Sequence, residues 1–548
     1  MATSSIASPK YRTAFHFQPI KNWMNDPNGP MYYNGYYHFF YQYNPNGPEW
    51  SENIVWAHSV SLDLVNWSIV KDAFFSTQDH PFDINGCWSG SATILPDGDV
   101  YRPGPVMLYT GLDNDKRQVQ NIAFAKNISD PMLEEWDKPD YNPIIDLPTG
   151  IQPDCFRDPS TGWIGEDGYW RIGVGSVEED HTGVIFLYKS KDFVHWTKSE
   201  KPLFSVDDIG ILECPDFFPV SRDGSKEGLD TSSLNGDSVN DYVLKVSIYE
   251  LNIDVYTVGK CENDVYIPND HKGSAGLRID FGKFYASKSF FDPKMKRRIL
   301  WAWVNEECSS TDNIAKGWAG IQIVPRLIWL DETGHHRLIQ WPIKEIESLR
   351  RNEISFQNLD IIPQTPFEIK GLINTSQADV EVEFEIPNLE DAEEYDPSWS
   401  MDPQKICSLR NASVSGGVGP FGLLVLASDN REEYTAVFFR IFKAKDKYLT
   451  LMCSDQSKSS LRTEVSKTVY GGFVNIDIEN TPKISLRTLI DHSVVESFGA
   501  GGRTCITSRV YPTSILTDNI HLFVFNNGTK SVRVVDFKAW EMANARID

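Results

Sequence analysis

Basic residues are scarce in this chain. Its 548 residues carry 52 Lys and Arg against 76 Asp and Glu, a net charge of −24. Nucleic acid, an anionic membrane surface and a polyanionic substrate all call for a basic footprint, so none of the three is expected as a partner. A neutral substrate is compatible with the balance. No apolar run reaches the roughly 18 residues of a membrane helix, and helical periodicity is nearly absent. Cysteine is sparse. The eight, Cys87, Cys155, Cys214, Cys261, Cys308, Cys407, Cys453 and Cys505, form no CxxC and no Cys/His pair at zinc spacing. Neither a metal site nor a disulfide-dense scaffold is expected, which leaves one or two bridges open. The first residues, MATSSIASPKYRTAFHF, lack the apolar centre of a secretory leader, so no signal peptide is expected. Sequons at Asn66, Asn127, Asn374, Asn411 and Asn527 weigh only weakly for secretion, because chance supplies several in a chain this long.

What is present is β-structure. The composition, 41% hydrophobic and 12% aromatic, is globular and long enough for two domains or more. From about residue 30 to 340, short strands such as Gly35–Tyr41, Val106–Thr110, Tyr169–Val174 and Arg298–Trp303 alternate with Gly/Pro/Asp/Asn clusters. Asp63-Leu64-Val65-Asn66-Trp67 and Asp192-Phe193-Val194-His195-Trp196 read as one element used twice. Repeated antiparallel units over this length favour a β-propeller, placed at 1–342. A short helix fits Ile343 to Arg351, with Ile343, Ile346 and Leu349 on one side, and a polar linker is expected from there to 366. From 367 to 548 strands return, with a strict period of two in Val380–Ile386, so the expectation is a β-sandwich. Residues 230–241, rich in Ser, Asn and Asp, read as a mobile loop within the propeller.

Three acidic motifs punctuate the first domain. Asp26 stands in Trp23-Met24-Asn25-Asp26-Pro27-Asn28-Gly29-Pro30, where Pro27 biases Asp26 towards extended backbone and Gly29 frees a geometry that a Cβ forbids. Asp158 stands in Phe156-Arg157-Asp158-Pro159 and Glu213 in Glu213-Cys214-Pro215-Asp216. A propeller gathers one inner strand per blade around its axis, so these acids could share one funnel. Two carboxylates with a supporting acid suit glycoside hydrolysis, one ionised to attack and one protonated to release the leaving group. Each acid alone reads more readily as structural: an Arg157–Asp158 ion pair, a turn glutamate.

The motifs in this order strongly resemble glycoside hydrolase family 32, the plant invertases and fructan exohydrolases. The resemblance extends through Phe39-Phe40-Tyr41-Gln42-Tyr43-Asn44-Pro45, Cys87-Trp88-Ser89-Gly90-Ser91-Ala92, Phe284-Tyr285-Ala286-Ser287-Lys288, Lys316-Gly317-Trp318-Ala319-Gly320 and Asp491-His492-Ser493-Val494-Val495-Glu496-Ser497-Phe498. It implies an all-β fold, a five-bladed propeller followed by a β-sandwich, and retaining double displacement on terminal β-fructofuranosyl units without metal or cofactor. By motif position it makes Asp26 the nucleophile, Glu213 the acid/base and Asp158 the transition-state stabiliser. Asn25, Gln42, Trp50, Ser89 and Arg157 match positions around the fructosyl pocket, and Trp23 and Trp88 its aromatic rim. Cys407 and Cys453 match a bridged pair.

Finer resemblances bear on the substrate. Pro215 resembles the cell-wall branch, which implies an apoplastic protein, with the vacuole as the alternative. Sucrose-cleaving plant members carry an Asp and, three residues later, a Lys or Arg where this chain has Tyr249 and Asn252. Loss of that pair, and Ala302-Trp303-Val304, resemble the fructan exohydrolases. Glu250 is expected on the other face of a strand. Leu212 replaces the usual Trp before Glu213, which is expected to alter the pocket wall. The leading expectation is therefore a monomeric fructan exohydrolase with weak or no action on sucrose. An acid invertase is the alternative. A fructosyltransferase, given the retained Trp23, and a silent fructan- or sucrose-binding protein rank lower.

Overall fold

The computed structural model describes residues 11–97, 102–232, 241–270, 274, 276–333, 337–517 and 519–548. The start of the chain read for a leader and most of the loop at 230–241 lie outside the described residues. Five antiparallel sheets follow one another from residue 22 to 342. Their innermost strands are Asn22–Tyr33 in blade I, Gly86–Leu95 in blade II, Phe156–Arg157 in blade III, Leu212–Val220 in blade IV and Tyr285–Asp292 in blade V. This is a five-bladed β-propeller. Trp318–Ala319, between the second and third strands of blade V, pairs in parallel with Asn22–Trp23 and ties the last blade to the first.

The repeated element marks the outer turn of blades I and III. In each copy the aspartate accepts backbone N–H bonds from the second and third residues after it: Asp63 from Val65 and Asn66, Asp192 from Val194 and His195. The next residue adopts a left-handed φ, +64° at Leu64 and +67° at Phe193, and its carbonyl accepts the indole N–H three residues on. Blade II holds a third copy that sequence spacing hides. There Asp130 caps the turn, Leu133 has φ +48° and Trp136 Nε1 donates to the Leu133 carbonyl, with two residues inserted between aspartate and leucine.

The short helix is a 3-10 turn, Lys344–Leu349, with Ile346 and Leu349 buried. The stretch read as a linker is instead a strand, Arg350–Ile361, at one edge of the second domain and paired antiparallel with Val532–Met542. Its pattern misleads because it is an edge strand exposed along most of its length, with a bulge between Arg351 and Ile354 that breaks the alternation. Two six-stranded paths then pack as a β-sandwich. Gln377–Glu385 alternates as its sequence does, burying Val380, Val382 and Phe384 against Phe421, Phe439 and Phe537. Cys407 on the helix Pro403–Leu409 is bridged to Cys453 on the strand Lys447–Asp455, with Cα atoms 5.8 Å apart.

The two domains meet through buried charge. His16 lies between Asp491 and Glu496, 2.8 Å from each. Arg326 of blade V pairs with Glu496 and, at 2.9 Å, with Asp280. The Asp491–Phe498 motif thus serves the interdomain contact.

Candidate active site

Four of the five inner strands slip register where they reach the mouth of the funnel: between Met24 and Pro27, Cys87 and Gly90, Glu213 and Asp216, and Tyr285 and Lys288. In blade III the strand simply ends before Asp158. A bulge re-aims a side chain out of the ladder. Asp158, Cys214 and Ala286 sit there with φ of +65°, +45° and +53°, conformations that are uncommon outside glycine and that cluster at functional sites. The motif around Asp26 is therefore a bulged strand and not the tight turn its Asn/Pro/Gly content suggests. The two bulges absorb Pro27 and the left-handed Gly29 (φ +45°), where a Cβ would press on Met107 Sδ at 2.9 Å.

These interruptions bring the three acids together. Ser89 Oγ donates to Asp26 Oδ2 at 2.7 Å. Trp23 Nε1 donates to Asn25 Oδ1 (2.9 Å) and Asn25 Nδ2 to Asp26 Oδ1 (3.0 Å), so the motif orients its own carboxylate. The Cys214 amide donates to Asp158 Oδ2 at 3.0 Å, and the Cys214 thiol lies 3.4 Å from that oxygen and 3.8 Å from Asp26 Oδ2. Arg157 Nε donates to Glu213 Oε1 at 2.6 Å, and Tyr285 Oη donates to Glu213 Oε2. Arg157 pairs with Glu213, not with the adjacent Asp158 as the structural reading of the sequence had it. Thr110 Oγ1 instead accepts from the Asp158 amide at 2.8 Å.

Three carboxylates therefore share a site with one guanidinium in direct contact. Burial and then the charge of Asp158 push Asp26 up to about 7, against the bonds from Ser89 and Asn25. Burial also raises Glu213, opposed first by Arg157. Tyr285 is raised well above the usual phenol range by burial and by Glu213, so it remains a donor. Both Asp26 and Glu213 are thus biased towards holding a proton in the free site, and acid-assisted displacement requires one of them protonated and the other ionised.

The walls are aromatic. Trp23 packs edge-on against Trp303 with centroids 5.7 Å apart, and Trp50, half exposed, meets Trp88 at 6.1 Å. Gln42 is buried and spends its amide on the Cys87 carbonyl at 3.1 Å, holding the bulge that presents Trp88 and Ser89. Trp303, Tyr285 and Cys214 belong to this constellation although residue type alone gave no reason to single them out. Leu212 does not line it: it is fully buried with Trp163, Ile185 and Phe217 in the core between blades III and IV, on the strand face opposite Glu213.

Residues 249–252 form the turn between strands Asp241–Ile248 and Ile253–Glu262. Tyr249 is 56% exposed, and its ring centroid lies 5.5 Å from Arg157 Cζ. Asn252 takes the left-handed position (φ +55°) that asparagine tolerates, its amide bonded to the Ile248 carbonyl at 2.9 Å. Because the segment is a turn, strand alternation does not apply to Glu250, whose Oε1 accepts from the Ile211 amide at 3.2 Å.

Among the described residues no group of His, Cys, Asp and Glu is arranged to hold a metal ion, and no helix is long and apolar enough to cross a membrane. Of the sequons, Asn127 and Asn374 are exposed, whereas Asn411 is half-buried. Asn66 donates to Asp63 and Asn527 to the Ala412 carbonyl, so both amides are already engaged.

Residues 16–342 match the Glycosyl hydrolases family 32 N-terminal domain, and residues 345–541 match Glycosyl hydrolases family 32 C terminal. An Arabidopsis thaliana protein named beta-fructofuranosidase, insoluble isoenzyme CWINV3, is 54% identical over 98% of this chain and 90% of its own length. A fructan 1-exohydrolase of Triticum urartu is 51% identical over 100% of this chain and 90% of its own. The crystal structure of fructan 1-exohydrolase IIa from Cichorium intybus superposes with a TM-score of 0.93 at 50% identity, covering 98% of both chains, and a variant of it has been solved in complex with 1-kestose.

Proposed function

This chain belongs to glycosyl hydrolases family 32 and is a glycoside hydrolase, and from that premise we propose that it is a fructan exohydrolase releasing terminal fructose from β-2,6- or β-2,1-linked fructans, or both. Asp26 attacks the anomeric carbon of the terminal fructosyl unit. Glu213 protonates the departing oxygen and then, as a base, activates the water that frees fructose. Asp158 steadies the oxocarbenium-like transition state and holds sugar hydroxyls, and Trp23 and Trp88 offer faces to the ring.

One observation carries the substrate assignment. The turn beside the acid/base supplies no ion pair. It supplies an aromatic ring, Tyr249, over Arg157, and Glu213 takes its polar contacts from Arg157 and Tyr285. A second reading, acid invertase, is favoured by the beta-fructofuranosidase names of relatives at 52–54% identity. Fructose release from sucrose, inulin and levan, run side by side at mildly acidic pH, separates the two. Fructan turnover at least ~10-fold above sucrose turnover supports the exohydrolase, and the inulin-to-levan ratio sets the linkage. Sucrose turnover equal to or above that on fructan overturns it. Tyr249→Asp combined with Asn252→Lys is expected to raise sucrose turnover relative to inulin several-fold, by restoring a pair beside Glu213.

An extracellular, cell-wall location fits this activity. It is supported by the insoluble isoenzymes among the relatives and by the Cys407–Cys453 bridge, which persists in oxidising compartments.

A further inference from the structure

A buried ammonium stands on the inner strand that carries Tyr285, and the mechanism above gives it no task. Lys288 stands on the inner strand of blade V, at the end of its bulge, and is 1% exposed. Its Nζ donates to Ser91 Oγ of blade II at 2.7 Å. Ser91 Oγ donates in turn to the Pro159 carbonyl of blade III at 2.8 Å. One side chain thus reaches the strand that carries Ser89 and, through Ser91, the residue that follows Asp158.

Its company is unusual. Lys245, equally buried at this level, pairs with Asp254 at 3.4 Å and donates to the Cys214 carbonyl at 3.0 Å. Lys288 joins no ion pair among the described residues, and its hydrogen bond goes to a neutral hydroxyl. A buried charge without a partner is costly unless a surrounding field of opposite sign offsets it. The charges it feels are those of Asp216 on the inner strand of blade IV, Lys245 on the strand beside that one, and Asp158 of blade III; burial raises the Cys214 thiol well above its usual range and keeps it neutral. Asp216 spends Oδ2 on the Ser289 amide, and Lys245 is of like sign. Asp158 connects to Asp26 through the shared Cys214 thiol, and Asp26 also feels Glu213. Asp158 is thus the funnel acid whose charge Lys288 feels, and Asp158 in turn raises Asp26 and Glu213.

We propose that Lys288 is a positioning residue for the reaction: its charge offsets that of Asp158, and its bond to Ser91 fixes the backbone that aims Asp158. The proposal rests on the assignment of Asp26, Glu213 and Asp158 given above. The test is the pH dependence of kcat/KM for fructose release from inulin, levan or sucrose, whichever the protein turns over best. It compares the wild type with Lys288→Met, Lys288→Gln and Ser91→Ala. Removing the charge is expected to move the acidic limb upward by about one pH unit. It should also lower kcat at least ~10-fold while KM changes less than ~3-fold. Ser91→Ala, which keeps the charge and loses the bond, is expected to lower kcat without moving the limb. A folded Lys288 variant with an unmoved limb overturns the proposal, as does a Ser91→Ala limb that moves equally. Lys288→Gln carries the comparison if Lys288→Met does not fold, and failure of both to fold makes Lys288 structural and overturns it too. A wild type that releases fructose from none of the three substrates defeats the assignment of the acids. An active wild type with unmoved variants defeats only the role of Lys288.

Discussion

Two sets of buried acids, one in the funnel and one between the domains, are held in opposite states. Between the domains each of these acids contacts at least one cation. Asp491 is held far below the usual carboxylate range: burial works against it, yet His16 and His492 outweigh burial. Glu496 is lowered by Arg326 and His16, and Glu306 by Arg509 and Lys316, each against its own burial. In the funnel Asp26 and Glu213 are both raised. The same residue types thus form a lock where they are fully buried and a proton reservoir where they are half-buried at the funnel. The difference lies in the number of cations in contact. A fully paired carboxylate has no lone pair to offer a substrate, and an under-paired one does.

The largest effect expected from this contrast is on catalysis. Asp26→Ala and Glu213→Ala are each expected to lower kcat for fructose release by at least ~10³-fold, with circular dichroism and melting temperature near those of the wild type. Retained activity in either variant would remove that residue from the mechanism. Glu496→Gln, at the interdomain lock, is expected to do the reverse. It leaves Arg326 and His16 without their carboxylate, and breaking such a buried pair costs about 3–5 kcal/mol. Denaturant unfolding should show that loss, while the surviving folded enzyme keeps its pH–rate profile. A shifted profile would mean that the two regions are electrostatically coupled. The pH window of the lock follows from its shifts. His16, raised to about 9, contributes stability that is fully present below its ordinary value and lost as pH rises through 9. Asp491 and Glu496, both lowered, contribute above the ordinary carboxylate range and lose it as pH falls through their folded values.

A smaller effect is expected at Ser89. Its bond favours the ionised form of Asp26, so Ser89→Ala should raise the pKa of that acid further and move the acidic limb of kcat/KM upward. A rate loss of roughly 10-fold should accompany it. A limb that stays fixed would assign the acidic limb to another group.

Much of this was legible in the sequence because the local rules and the global fold agree. Alternation in Val380–Ile386 and the paired Asp63 and Asp192 turns state their structure directly. The Asp130 copy escaped because an insertion changes the spacing while leaving the αL-residue-to-tryptophan bond intact. The strand Arg350–Ile361 escaped because an edge exposed along most of its length looks like a linker. At the site, the acids announce themselves by their proline neighbours. Tyr285 and Lys288 do not, since a tyrosine and a lysine in a strand have many uses, and only the bulge in the inner strand of blade V brings Tyr285 to Glu213 and Lys288 across to Ser91. Leu212 misled because its neighbour in sequence faces the pocket while its own side chain faces the core.

The smallest effect tests the contrast most directly. Asp26→Asn removes an acid that the folded protein holds reluctantly as an anion. With a folded pKa of about 7, raised from an ordinary value of 3.8, the wild-type native state binds its proton more tightly than the unfolded chain does. Below 3.8 the two states are alike in charge at this residue, and the difference between wild type and variant should be small. As pH rises from 3.8 to 7 the unfolded chain ionises first, and the native wild type is progressively penalised; above 7 the penalty is complete. The variant escapes it. Because the carboxylate is partly open to the funnel and is coupled to Asp158 and Glu213, the gain is far less than the full shift implies, and a rise in Tm of about 1–2 °C at pH 7.5 is expected, vanishing near pH 4. Scanning calorimetry at the two pH values measures it. An Asn variant no more stable than the wild type at pH 7.5 would mean that Ser89 and Asn25 already satisfy the Asp26 anion, and the funnel would then differ from the interdomain lock in geometry and not in charge balance.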